Sequence, residues 1–486
     1  MAGIGIQLNR IFQKRTITSS VYGIAFSVTY TVGPMLMVVG CLLLMYTVLG
    51  FSEVHYSERE LFSSSLLYIF IFSLLTTSPF NATLSKYMTD EIYLDHFDDV
   101  RASAIVGITA NLTLSSLVAI PFYLRVLLVG HVPLYYVFTS YMAFLSLTLI
   151  FSVMIYNSIL KNYKKIAWYF AAGMTLTFLL SLLFRFILHF TITYSMLLAL
   201  AAGFLLIAVL ELANVLRYFR KNSYNYAGPL RYFQKYWHFT ASNFLYIFGL
   251  FAHNFVFWTL PWHLVVVNSY VSNQAYDMAS FIAILTNISG SIFFLTNTEM
   301  HFHERYTEYL NSVINAKLDH IEEAKTRMFR TLSMQMLSLV QMQFIVSVVL
   351  FFLTYAFLPA LGFSGLTMQI YPMLAVGYFF SQIMYSCILF LYSFNDTRGS
   401  LIAGLLFAGL SLLASFLSAQ LTSEWYGAGF ALAGLVTFIY LFLRLRWLEK
   451  NIDYYVFCAG TVMEPAKRKR PPDVVFRRGS ARGKRS

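Results

Sequence analysis

Twelve runs of about 20 mostly apolar residues, each bounded by charge, Gly or Pro, dominate this sequence, and that is the length a helix needs to cross a hydrocarbon core. They lie at Val21–Leu49, Leu61–Phe80, Ala102–Val129, Pro133–Leu160, Ile166–Leu183, Thr193–Leu216, Phe239–Trp258, Met278–Thr296, Met334–Phe357, Ile370–Tyr392, Ser400–Leu421 and Tyr426–Leu443. Lipid offers no water to backbone N–H and C=O groups, so each run must satisfy them internally. The expected fold class is an all-α polytopic membrane protein, with about twelve transmembrane helices in two six-helix bundles. Only 12% of residues are charged, half the share of a soluble domain, because a lipid-facing surface must be as apolar as the core behind it.

Lys and Arg set the orientation, since positive residues resist translocation. With the N-terminus inside, 19 of them fall in inner connections and 12 between Arg444 and the C-terminus. Only Arg59, Arg125 and Arg185 fall in outer connections, where the last two can snorkel to the interface. Both termini are thus expected in the cytoplasm. The expected organisation is a cytoplasmic N-terminal segment 1–20, a six-helix bundle 21–216, a cytoplasmic linker 217–238, a second bundle 239–447 with an amphipathic cytoplasmic helix 299–330, and a basic cytoplasmic tail 448–486. The segment from Arg444 onward carries +8 of the formal net charge of +12, which points to anionic lipid beside a last span rather than to nucleic acid.

The first run is too long for a signal-peptide core and lacks a small-residue cleavage pattern, so it reads as a retained anchor. Ahead of it, Ile4, Leu8, Ile11 and Phe12 among Arg10, Lys14 and Arg15 fit either a short surface helix or a frayed terminus. From Tyr306 through Leu310, Val313, Ile314, Leu318 and Ile321 to Met328 a three-four rhythm fits one amphipathic helix under the second bundle, with partner or lipid docking as the alternatives.

No catalytic constellation is found. Cys41, Cys387 and Cys458 have neither CxxC spacing nor a His cluster beside them, so disulfide and zinc sites are not expected. The run Asp90, Glu91, Asp95, Asp98, Asp99, with His96, reads as a solvated loop face, and His301 and His303 with Glu304 are too weak a pattern for a metal centre. No metal or cofactor is expected, and the chain is not read as an enzyme. Span centres are nearly free of charge, with Glu211, Asp277 and Glu299 near span ends, where they can anchor helices. The polar residues inside spans are Asn111, His253, Asn254, Asn287, Gln341, Gln343 and Gln382, which either glue helices together or line a wet substrate pathway. Gly33 with Pro34 in the first span, and Pro79 after Ser78 in the second, are helix breaks and hinge candidates.

Several stretches together resemble the PelG family: the opening MAGIGIQL, the Gly33-Pro34 pair, SPFNATLSKYMTDEIY (Ser78–Tyr93), NTEMHFHERYTEYLNSV (Asn297–Val313) continuing into IEEAKTRMFRTL (Ile321–Leu332), and LFLYSFNDTRGSL (Leu389–Leu401). Ser78 stands where the family usually has Gly, and the basic tail after residue 464 looks like an addition. The resemblance implies a flippase-like fold of the multidrug/oligosaccharidyl-lipid/polysaccharide exporter superfamily, in the bacterial cytoplasmic (inner) membrane. It implies export of Pel, a polysaccharide rich in N-acetylgalactosamine and galactosamine, for the biofilm matrix. The implied partners are a cytoplasmic glycosyltransferase and a cyclic-di-GMP-responsive membrane protein. An exporter of lipid-linked oligosaccharide or of small molecules on the same fold is the alternative. A membrane glycosyltransferase is more distant, since Glu53, Glu58 and Glu60 form no recognisable acidic pair.

Overall fold

A computed structural model describes residues 32–160, 163–294, 299–359, 362–363 and 365–455. The N-terminal surface segment, the first part of span one, Cys458 and the basic tail beyond residue 455 lie outside the described residues, while 448–453 continue the last helix. The helices are α1 (Gly33–Val48), α2 (Tyr56–Tyr93), α3 (Phe97–Leu128), α4 (Leu134–Ile159), α5 (Tyr163–Leu182), α6 (Ile192–Tyr218), α7 (Ala227–Lys235) and α8 (Trp237–Phe257). After a hairpin of β1 (Leu264–Val266) and β2 (Tyr270–Ser272) come α9 (Gln274–Asn287), α10 (Ser289–Phe293), α11 (Glu299–Asn315), α12 (Leu318–Phe357), α13 (Gly365–Ser393), α14 (Thr397–Ser418) and α15 (Ala428–Asp453).

Nine of the described helices are long and apolar enough to cross a membrane. Three further passages complete the set of twelve: α1, the aromatic-rich α8, and the broken helix α9–α10. Helices α1–α6 enclose one apolar core, including Met45, Phe62, Phe144, Leu197 and Phe204. Helices α8–α15 enclose another, including Phe257, Tyr276, Tyr371, Met384 and Phe407. Alternating passages put the basic connections at one end of the molecule, the basic end, and the loops carrying Arg59, Arg125 and Arg185 at the far end. There Arg125 Nη2 donates to the Asn268 carbonyl (3.4 Å) and Arg185 Nη1 to the Phe190 carbonyl (3.1 Å).

Two expectations are corrected. Span Met278–Thr296 is not one helix: it breaks at Ile288, between α9 and α10. Nor do residues 299–330 form one amphipathic helix. The chain turns at Ala316–Lys317, where Lys317 adopts extended backbone, so α11 ends and the remainder begins the 40-residue α12. The rhythm runs through the turn because Ile314 and Leu318 keep a helical spacing across it, which hides the break. The two arms fold together, with Arg327 Nη1 3.7 Å from Glu308 Oε1. Helix α11 lies under its own bundle, its Phe302 and Tyr306 rings against Phe390 and Phe394.

Without a hydrophobic drive between helices in lipid, close backbone approach at small residues does much of the packing. At Gly429 a Cβ would stand 2.3 Å from backbone atoms of Ala414 and Ser415, which cannot yield without moving α14 from α15. Gly429→Ala should therefore destabilise the second bundle by about 1–3 kcal/mol despite alanine's better helix propensity. A melting temperature in detergent equal to wild type would refute the close contact.

Candidate translocation seam

The two bundles meet along α2 and α8. At the far end Gln274 Nε2 donates to Glu60 Oε1 (3.2 Å), and the Tyr68 hydroxyl both donates to the Val271 carbonyl (2.9 Å) and accepts from the Val271 N–H (3.0 Å). The β-hairpin thus reaches across from the second half: Tyr270 sits edge-on to Tyr68 and Phe122 of the first. Tyr68 also stacks on Trp258, centroids 5.2 Å apart, and Phe72 on Phe255. A cavity of about 80 Å³ lies behind this aromatic cluster, lined by Tyr68, Phe72, Phe122, Tyr123 and Phe144. It holds only a few water-sized molecules.

Lower on the seam, α2 carries Pro79, which lacks the N–H that would bond the Leu75 carbonyl. The Ser78 hydroxyl donates to that carbonyl instead (2.8 Å), while Asn243 Nδ2 of α8 donates to the Ser78 carbonyl (2.7 Å). The bend in α2 is thereby tied to the opposite bundle. One turn on, the Thr83 and Thr240 hydroxyls are 2.7 Å apart. At the basic end Phe80 meets Phe233, Tyr87 meets Tyr232, and the Tyr232 hydroxyl donates to Asp90. The stretch Ser78–Tyr93 is therefore the first bundle's share of the seam toward the basic end.

The polar residues singled out from sequence lie elsewhere. Asn111 is buried within the first bundle, donating to Thr77 (3.2 Å) and Ser152 and accepting from Ser115. His253 and Asn254 point into the second bundle. His253 hydrogen-bonds the hydroxyls of Tyr276 (2.9 Å) and Tyr378 (3.3 Å). Asn254 donates to Asp277 (2.8 Å), which also accepts from Trp258 and from the Asn273 N–H, anchoring the first turn of α9. Asn287, Gln343 and Ser347 bond one another where α9 breaks, so these groups satisfy the broken helix end. Gln382 lies beside them, its Cγ 2.6 Å from where a Gly290 Cβ would be. Gln341 is exposed on α12. Glu211 is fully buried inside the first bundle, and its carboxylate oxygens have no hydrogen-bond partner among the described residues. Gly33 and Pro34 open α1, where a missing N–H costs nothing.

The seam residues Tyr68, Thr83, Thr240 and Asn243 were not singled out from sequence. Asn243 was the accessible signal, as an amide in an aromatic helix. Its partner is the carbonyl next to a proline, and a side-chain inventory does not register backbone acceptors.

A family model described as "PelG: Putative exopolysaccharide Exporter (EPS-E)" matches residues 1–457. No curated protein sequence matches the chain. Solved structures with a similar fold include an outward-facing multidrug resistance MATE family transporter of the MOP superfamily (TM-score 0.55, 13% identity, covering 88% of this chain and 96% of that one). A mutant of the Vibrio cholerae MATE transporter VcmN is similar too (TM-score 0.56, 13% identity, 92% and 99% covered). So is the eukaryotic MATE transporter AtDTX14 (TM-score 0.56, 11% identity, 89% and 98% covered). At such identities the likeness is one of fold: twelve helices in two bundles that face each other across a seam. The chain is a multi-pass membrane protein and belongs to the PelG family of exporters.

Proposed function

We propose that this protein moves an exopolysaccharide of the Pel type, rich in N-acetylgalactosamine and galactosamine, across the bacterial cytoplasmic membrane for a biofilm matrix. The observation that carries the reading is the family match over residues 1–457. The seam supports it chemically. The rings of Tyr68, Phe122 and Trp258 stack on one another in the closed seam, and on parting they would offer flat, partly apolar faces to sugar rings and cation–π partners to an amino sugar's ammonium. In this reading the basic end and both termini face the cytoplasm, where a glycosyltransferase delivers the growing chain. A cyclic-di-GMP-responsive membrane protein completes the assembly, and the basic tail rests on anionic lipid.

Deleting this gene alone should abolish secreted polymer while polymer accumulates inside the cell; undiminished secretion would overturn the proposal. Tyr68→Ala should reduce secreted polymer severalfold at unchanged membrane abundance, by removing both the ring stack and the bond to Val271. The MATE-like fold supports a second reading, export of small molecules. Dye-efflux measurements in cells lacking polymer synthesis separate the two, because a dedicated polymer exporter confers no efflux.

A further inference from the structure

The connection between α2 and α3 gathers residues whose chemistry the transport reading does not use. Leu94 ends α2, Asp95 turns the chain with φ of 60°, and His96 starts α3. The His96 N–H donates to the Glu91 carbonyl (2.9 Å) and the Asp99 N–H to the His96 carbonyl (3.1 Å), so the turn is fixed by its own backbone. Its tightness brings Glu91, from the last turn of α2, and Asp99, from the first of α3, close to the His96 ring. One ligand atom from each lies within 4.8 Å of the other two, and His96 Nδ1 is 2.9 Å from Glu91 Oε2. These residues were expected to form a solvated loop face. Each is in fact partly buried, and they converge.

A second observation comes from Tyr87, one turn before Glu91 on α2. It is 3% exposed, and apart from the Glu91 carboxylate its hydroxyl has no hydrogen-bond partner among the described residues. The charged side chains nearest that hydroxyl in effect are Glu91 and Asp99, and it turns toward Glu91. Helix α7 closes the site from above: at Gly228 a Cβ would stand 2.8 Å from the Tyr87 oxygen. Neighbouring cations are engaged elsewhere. Lys86 pairs with Asp90 at 3.6 Å, and Arg101 donates to the carbonyls of Phe219 and Arg220. The turn therefore concentrates negative charge around a histidine nitrogen, next to a buried phenol oxygen that turns toward Glu91.

We propose that Glu91, His96 and Asp99 bind a first-row divalent transition-metal ion, with the Tyr87 hydroxyl as fourth ligand or as hydrogen-bond partner of a metal-bound water. One imidazole and two carboxylates favour Zn²⁺ or Mn²⁺ over Ca²⁺, which takes six to eight oxygens. Four-coordinate zinc, with ligands at about 2.1 Å, needs them roughly 3.4 Å apart, which rotation of the two carboxylate side chains supplies. The ion ties the end of the seam helix α2 to α3 beneath α7. This site is independent of which substrate the seam carries.

The test uses the full chain purified in detergent, stripped with chelator and titrated with ZnCl₂ or MnCl₂ by calorimetry, with metal content measured after desalting. Wild type should retain one ion per chain, and Asp99→Asn should weaken binding by at least about tenfold. Asp99→Asn is the decisive variant, because the Asp99 side chain makes none of the hydrogen bonds that hold the turn. His96→Asn should abolish retention. Replacing both His301 and His303 with Ala should leave it intact, and Tyr87→Phe should weaken it less than Asp99→Asn does. No retained ion in wild type, or equal binding by wild type and Asp99→Asn, would overturn the assignment.

Discussion

A disulfide between Thr83→Cys and Thr240→Cys should stop export. The two hydroxyls are 2.7 Å apart, so sulfurs placed there come within bonding reach across the seam. The native Cys41 and Cys387 are buried and stay out of reach. The seam is held at the far end by Tyr68 and Gln274, midway by Asn243, and at the basic end by Tyr232. On the proposed path a polymer passes when α2 and α8 part, and a covalent link forbids that. Under oxidant, secreted polymer should fall to the level of the gene-deleted strain and return on reduction, while neither single-cysteine variant responds. Complete cross-linking with undiminished export would show that the substrate path lies elsewhere.

The second large effect concerns stability. Asp396, 1% exposed at the start of α14, accepts from the Gly399 N–H (3.0 Å), capping the helix. It also takes a two-pronged bond from Arg444 of α15, through Nε (2.6 Å) and Nη2 (2.9 Å). The guanidinium also lies 4.2 Å over the Trp447 ring. Gly399 is required because a Cβ there would stand 2.2 Å from the Asp396 carboxylate. Asp396→Ala removes the cap and leaves Arg444 without its counter-charge, so it should cost about 3–5 kcal/mol. The expected result is early unfolding in detergent and low membrane abundance. Combining Asp396→Leu with Arg444→Met should recover part of the loss, since it removes both charges. Wild-type stability of Asp396→Ala would refute the assigned role.

The same pair shows what was legible beforehand. The string LFLYSFNDTRGSL was recognisable as a family feature, but nothing in it names Arg444, some 50 residues away. Only the meeting of α14 and α15 explains why Asp and Gly stand where they do. The seam segment Ser78–Tyr93 is similar. Its proline was visible as a break, yet the role of Ser78 as a substitute donor, and the tie to Asn243, depend on which face of α2 meets the other bundle.

The amides inside the spans were noticed because a buried amide in lipid must find partners. Whether those partners are helices or substrate is a matter of direction, which spacing in a nearly uniformly apolar helix does not reveal. When both helix faces are greasy, no amphipathic pattern marks the side turned toward a passage. Asn111, His253, Asn254 and Asn287 therefore looked alike in sequence as glue and as lining, and packing placed all four inside their bundles.

The sequence by itself determined the solvent, the passages and their alternation. Those follow from run length, from the backbone's need to bond within itself in lipid, and from where Lys and Arg cluster. It did not determine the broken helix α9–α10, the hinge between α11 and α12, the hairpin that crosses to the first bundle, or the meeting of Glu91, His96 and Asp99. Each depends on a short turn or on a contact between distant residues, and a turn of one or two residues leaves hydropathy unchanged while reversing the direction of everything after it.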